Sequence, residues 1–175
     1  MQFGSSTSHF NTLHEELNIV FGGGVDDIWE NVATGELHIV DYKSTSQQRA
    51  EPKPLDRSFI APPIDPKEKD YKAGYRRQMD MYQWILRRMG FEVSDVGYFV
   101  YVDGLHHDQE GMIDLSDPSI GWMKFDVAII PYEGNDSWVE DALHGAKECL
   151  LAPSCPAHSS QCEFGSFLDA VRDIS

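Results

Sequence analysis

The chain has 175 residues, 41% hydrophobic and 11% aromatic, which is enough for one domain with its own core and too apolar for a disordered chain. Its formal net charge of -15 argues against a general nucleic-acid or anionic-membrane binder. No apolar run approaches the roughly 18–20 residues of a membrane span, and Met1 to Ser8 lack the basic start and apolar stretch of a secretory signal.

In chain order, the first β-rich stretch is Leu17 to Phe21, followed by Gly22-Gly23-Gly24 and then Val25 to Asn31. Glycines inside a strand pattern predict a bulge or a close backbone approach. Turn chemistry at Ala33-Thr34-Gly35-Glu36 separates this stretch from Leu37 to Val40, a buried strand ending at Asp41-Tyr42-Lys43; together they read as a β-hairpin. Ser44 to Lys69 holds five of the nine prolines and is expected to be a long loop rather than a central strand or helix. A helix is predicted from Asp70 to Met89, with Tyr71, Tyr75, Gln78, Tyr82, Ile85, Leu86 and Met89 on one face and Gly90 as its C-cap. Val93 to Val102 and Trp122 to Ile130 read as strands. Ser137 and Glu140 form a capping box for a helix from Trp138 to about Leu150, which Pro153 and Pro156 stop. The expected fold class is α/β, with a central mixed β-sheet flanked by helices. It is expected as a single domain over 1–175, with a core from about 17 to 150 and a cysteine-containing tail over 151–175.

Charge is unevenly spread. Between Lys43 and Arg88 lie 11 of the 14 basic residues against 6 acidic ones, leaving 3 basic and 23 acidic residues elsewhere. A basic island therefore sits on an acidic protein. The three cysteines, Cys149, Cys155 and Cys162, lie near the C-terminus. An odd number without a signal peptide predicts a reducing compartment, the cytoplasm.

The segments with chemical potential are Gly24-Val25-Asp26-Asp27-Ile28 and Ile39-Val40-Asp41-Tyr42-Lys43. Two carboxylates brought together at a strand end repel unless a cation lies between them. Hard oxygen ligands with open water positions suit Mg²⁺ or Mn²⁺. Lys43, two residues beyond Asp41, shares its face on a strand, where an ammonium can orient water and offset charge growing on a phosphate. Asp26 and Asp27 would point to opposite faces, so only one can join Asp41, and the tandem glycines leave that register open by one residue.

Gly-x-x-Asp, an apolar strand ending in Asp-Tyr-Lys, and a helix carrying Gln78-x-x-x-Tyr82 resemble the PD-(D/E)XK nuclease superfamily, most closely its RecB-like branch, which includes CRISPR-associated exonucleases. The resemblance runs from about Gly22 to Val102. It implies a restriction-endonuclease-like core and a metal-dependent deoxyribonuclease, with Asp26, Asp41 and the backbone carbonyl of Tyr42 as metal ligands. It further implies that Lys43 assists the water and that Gln78 and Tyr82 brace the site or approach DNA. It selects Asp26 over Asp27. Lys72, Arg76 and Arg77 on the helix, with Lys53, Lys67 and Lys69 on the loop, would contact the phosphates of single- or double-stranded DNA. The loop would form a mobile wall of the channel.

Two features depart from the family pattern. A helix carrying a histidine or glutamate usually precedes the first metal aspartate; here the nearest candidates are His14 and Glu15, with His14 expected at the surface. Several RecB-like nucleases hold an iron–sulfur cluster on four cysteines, whereas three make that cluster unlikely here. Cys149, Cys155, His158 and Cys162 have the residue types for a zinc site, although plain tail cysteines are the stronger expectation. The alternative to a nuclease is a non-catalytic nucleic-acid-binding or assembly module on the same fold; action inside a larger recombination or repair complex is a further option.

Overall fold

A computed structural model describes residues 9–47, 51–105, 112–154, 156–159 and 162–172. The chain forms two compact units, Met1–Val139 and Glu140–Ser175. Among the described residues no helix is long and apolar enough to cross a membrane.

The first unit begins with an antiparallel hairpin of β1 (His9–His14) and β2 (Ile19–Gly24). β1 was not foreseen, because a single short strand with charged and polar neighbours has little periodicity to read. His14 is buried rather than on the surface: its Nδ1 accepts the Leu17 N–H at 3.3 Å, closing the turn toward β2. The three glycines pair regularly with β1 instead of forming a bulge. Their effect is close approach. A Cβ on Gly23 would run into the Tyr82 ring, which itself packs edge-on against Phe10 with centroids 5.4 Å apart. Gly23→Ala is therefore expected to destabilise the fold by about 1–3 kcal/mol through overpacking; a urea midpoint unchanged from wild type would show that the ring can move aside.

The hairpin of β3 (Asp27–Glu30) and β4 (Leu37–Thr45) forms as expected. Its turn is closed by Asn31, whose backbone carbonyl accepts Gly35 N–H and whose side chain accepts Ala33 N–H. β4 runs on to Thr45, so Asp41 lies within the strand and not at its end. The polar Asp-Tyr-Lys-Ser-Thr run masked a strand that continues because β5 (Val96–Gly104) pairs with it in parallel. β6 (Phe125–Glu133) completes a sheet of order β3-β4-β5-β6, antiparallel except between β4 and β5. The fold is α/β with a mixed sheet. β5 and β6 each start three residues later than the hydrophobic pattern suggested. β6 includes Pro131, tolerable because an edge strand need not donate on its outer side.

The parallel step from β4 to β5 requires a crossover. It passes through a short helix, α1 (Arg57–Ile60), inside the proline-rich loop, and then α2 (Ala73–Arg88). α1 is capped by Asp56, whose carboxylate accepts Ser58 N–H at 2.8 Å, and it buries Ile60. α2 ends as predicted: Gly90 has φ +89, and Phe91 N–H returns to Leu86 carbonyl, the left-handed stop for which glycine is favoured. Its start is later than expected, and Tyr71 lies outside it, 75% exposed. Met79, Ile85 and Leu86 are buried, as are Ile39, Phe99, Tyr101 and Ile130 of the sheet.

Three polar residues of α2 work as a structural clamp at i, i+3 and i+7. Buried Asp80 accepts hydrogen bonds from Tyr132 Oη, Asn135 N–H and Trp138 Nε1. Gln83 Nε2 donates to the Ser94 and Asp95 carbonyls. Arg87 bridges Asp95 at 2.6 Å and Asp136 at 2.7 Å.

The helix predicted after Ser137 is α3 (Val139–Leu151). Within the second unit a further helix, α4 (Glu163–Arg172), occupies what the sequence suggested was a tail.

Candidate active site

Side chains alternate along β4, so Asp41, Lys43 and Thr45 leave one face and Tyr42 the other. α2 packs on the first face, its Tyr75 ring centroid 4.7 Å from Lys43 Nζ. Asp26 immediately precedes β3. One step beyond the Asp27–Val40 pair, it stands opposite Asp41, and its Oδ2 accepts the Tyr42 N–H at 2.9 Å. Asp27 is committed elsewhere: its Oδ2 accepts Tyr42 Oη at 2.9 Å and Trp29 Nε1 at 3.2 Å. Of the adjacent aspartates, the backbone thus brings Asp26 to Asp41.

Asp41 is 4% exposed. Burial pushes its carboxyl above the ordinary range, Lys43 opposes that shift, and nearby Asp26 adds to it. Lys43 Nζ is 2.5 Å from Asp41 Oδ2. The two form a buried ion pair in which the Lys43 ammonium is the hydrogen-bonding partner of that oxygen. A buried carboxylate beside a second, exposed carboxylate is a donor set that suits a hard divalent cation, with Lys43 already offsetting one of the two charges. Tyr42 lies between the two charged residues of β4, with its N–H engaged by Asp26 and its phenol by Asp27.

Gln78 and Tyr82 share a helix face with Tyr75. Gln78 Nε2 donates to Tyr82 Oη at 2.7 Å, and the Tyr82 ring lies against Gly23 and Phe10. The pair therefore faces the hairpin leading to Asp26, while Tyr75 faces Lys43. Tyr82→Phe keeps the ring and its packing but removes the acceptor for Gln78. Under the nuclease expectation drawn from the sequence resemblance, Tyr82→Phe and Gln78→Ala should each cut cleavage about tenfold, or about 1.4 kcal/mol in the barrier, with melting temperature little changed. Unaltered rates in both would make the pair purely structural.

The cationic residues expected on DNA divide. Arg76 is largely enclosed, donating to Asp70 and, at 2.6 Å, to the Ile60 carbonyl; it ties α1 to α2. Arg77 is exposed. Lys72 Nζ lies over the rings of Phe59, Tyr75 and Tyr101, with centroids at 4.5, 5.2 and 5.2 Å, and donates to Tyr101 Oη at 3.2 Å. Burial and the neighbouring Lys43 hold its ammonium below the usual lysine range.

Tyr75 and Tyr101 are site residues that sequence reasoning missed. Tyr101 is the β5 partner of Lys43, a relation visible only once the parallel register is known. In the second unit, Cys149 is exposed and Cys162 half-buried. His158 Nδ1 and Nε2 already meet the Ser159 carbonyl and, at 2.7 Å, Asp169. Cys155, a member of the zinc set weighed from the sequence, lies outside the described residues. No family model matches this chain, and neither a curated protein nor a solved structure matches it.

Proposed function

We propose that the chain is a divalent-metal-dependent nuclease that hydrolyses DNA phosphodiester bonds, of exonuclease or recombination and repair type. The observation that carries this reading is the placement of Asp26 opposite Asp41 at the β3–β4 pairing, with Lys43 paired to the buried Asp41 carboxylate. Asp26 and Asp41, with the Tyr42 carbonyl, would hold Mg²⁺ or Mn²⁺. A bound ion of this kind supplies Lewis-acid polarisation of the phosphate and a more acidic water.

The chain's own groups do the rest. Lys43, held by Asp41 and the Tyr75 ring, presents a fixed positive charge where negative charge grows on phosphate oxygens. Asp27 and Tyr42 Oη, bonded together, lock the neighbouring backbone and keep Asp26 in register. Lys72 and Arg77 contribute phosphate contacts, which make binding salt-dependent. The free thiols of Cys149 and Cys162 suit a reducing compartment such as the cytoplasm.

The test is cleavage of labelled single- and double-stranded DNA by the full chain with Mg²⁺ or Mn²⁺ and with chelator. Metal-dependent loss of substrate supports the reading; a folded protein inert with both metals rejects it. In that event the same surface would serve a non-catalytic module, a reading favoured by the ion pair in which Lys43 already balances Asp41.

A further inference from the structure

Beyond Lys43 the same face of β4 continues to Thr45, about 7 Å along the strand. Thr45 borders a cavity of ≈ 660 Å³ between β4, α1 and the approach to α2. Its size falls in the usual range for small-molecule sites.

Among the described residues, the charged groups lining this cavity are Lys53, Lys69, Lys72 and Asp70. Asp70 is bound to Arg76, which holds its carboxyl below the ordinary range. Three lysines around one neutralised carboxylate make a cationic pocket on a protein of net charge -15. The remaining wall is mixed: Thr45, Ser46, Gln47 and Ser58 are polar, while Phe59, Ile64 and Tyr71 supply its large apolar and aromatic surface. Phe59 lies beneath Lys72, while Tyr71 and Ile64, both pocket-lining, are 75% and 102% exposed. Large apolar side chains left in water beside ammonium groups match the two halves of a nucleotide: a flat base and an anionic phosphate.

The pocket is built rather than incidental. Gln47 clips its loop wall in both directions, accepting Lys53 N–H and donating to Lys53 carbonyl, each at 2.9 Å. Gln47 N–H in turn donates to buried Asp103 at 3.2 Å. Lys72 joins the pocket to the candidate active site, because its ammonium and that of Lys43 both lie near the Tyr75 ring, 5.2 and 4.7 Å from its centroid. Two cations sharing one ring repel each other, and an anion between them relieves that repulsion.

We infer that this cavity is a nucleotide subsite: Lys72 holds a phosphate adjoining the one at Lys43, and the attached base lodges unpaired against Tyr71 and Phe59. The inference rests on the nuclease reading for the position of the reacting phosphate, but its test does not need cleavage. A base in this pocket must leave its stack, so the occupant is an unpaired nucleotide of the bound strand.

Binding of a short fluorescent oligothymidylate to the full chain is measured in EDTA across a salt series. Tyr71→Ala alters an exposed residue outside the helix and is expected to weaken binding about tenfold. Lys72→Met keeps the stem against the rings and should lower the magnitude of the salt slope by about 1. An abasic oligomer should bind wild type about tenfold more weakly than oligothymidylate, and Tyr71→Ala should then add little. No binding by wild type, or wild-type affinity and salt slope in both pocket variants, overturns the subsite. Metal-dependent cleavage with those variants unaffected removes the pocket and leaves the nuclease. Base-dependent binding lost in Tyr71→Ala, without cleavage by any metal, keeps the pocket and removes the nuclease.

Discussion

Asp41→Asn is expected to abolish metal-dependent cleavage, by about 4 kcal/mol or roughly a thousandfold, while the fold persists. The substitution preserves volume at a site only 4% exposed, so it opens no cavity. It removes a charge that burial disfavours, and the apo protein should lose little stability or gain some. The pH dependence has a definite sign. The folded carboxyl titrates above 3.8, the value taken for the unfolded chain. Between those two values the native state binds more protons than the unfolded one, so stability falls as pH rises through that window. The contribution is complete below 3.8 and gone above the raised folded value. Asp41→Asn should flatten this part of the profile. Mg²⁺ should raise the wild-type melting temperature by mass action and leave that of Asp41→Asn unmoved. Equal thermal shifts in the two proteins, or retained cleavage in the variant, would move the metal role away from Asp41.

The elements most legible in the sequence were those whose local chemistry and tertiary setting agree. The β3–β4 hairpin had its turn residues, and α2 had both periodicity and its Gly90 stop. Disagreement arose where pairing partners decide the outcome. β4 continues through Asp41, Lys43 and Thr45 because β5 hydrogen-bonds alongside them; strand propensity alone would end it near Asp41. α1 forms between prolines because Asp56 caps it and Ile60 is buried, and four residues are too few for a periodic signal. The polar clamp of Asp80, Gln83 and Arg87 was not legible in the sequence, since the loops that bury it come later in the chain.

The candidate site divides in the same way. Asp26, Asp41 and Lys43 stood out by residue type and spacing, and the hairpin register decides between Asp26 and Asp27. Tyr75 and Tyr101 did not stand out, because an aromatic residue on a core-facing element ordinarily signals packing. Their relation to Lys43 and Lys72 depends on a parallel strand pair and a crossover helix, both tertiary facts. Arg76, read from the basic island as a DNA contact, has its guanidinium held by Asp70 and the Ile60 carbonyl, partners that the sequence does not reveal.

Lys43→Ala separates chemistry from docking. Its ammonium is confined by Asp41 at 2.5 Å and the Tyr75 ring at 4.7 Å, a preorganised charge of the kind whose removal costs about 3 kcal/mol or more in the transition state. Turnover should fall by about a hundredfold or more. Oligonucleotide affinity should change only a few-fold, because one phosphate contact is lost among several. Metal affinity gives an independent reading. The ammonium competes with a divalent cation for the Asp41 carboxylate, so Lys43→Ala should bind Mg²⁺ as tightly as wild type or more tightly, whereas Asp41→Asn should lose the ion. Slow turnover with intact metal binding places Lys43 at the reacting phosphate. Normal turnover with weakened DNA binding reduces it to a docking residue, and loss of the metal together with turnover makes it a structural counter-ion that keeps Asp41 ionised.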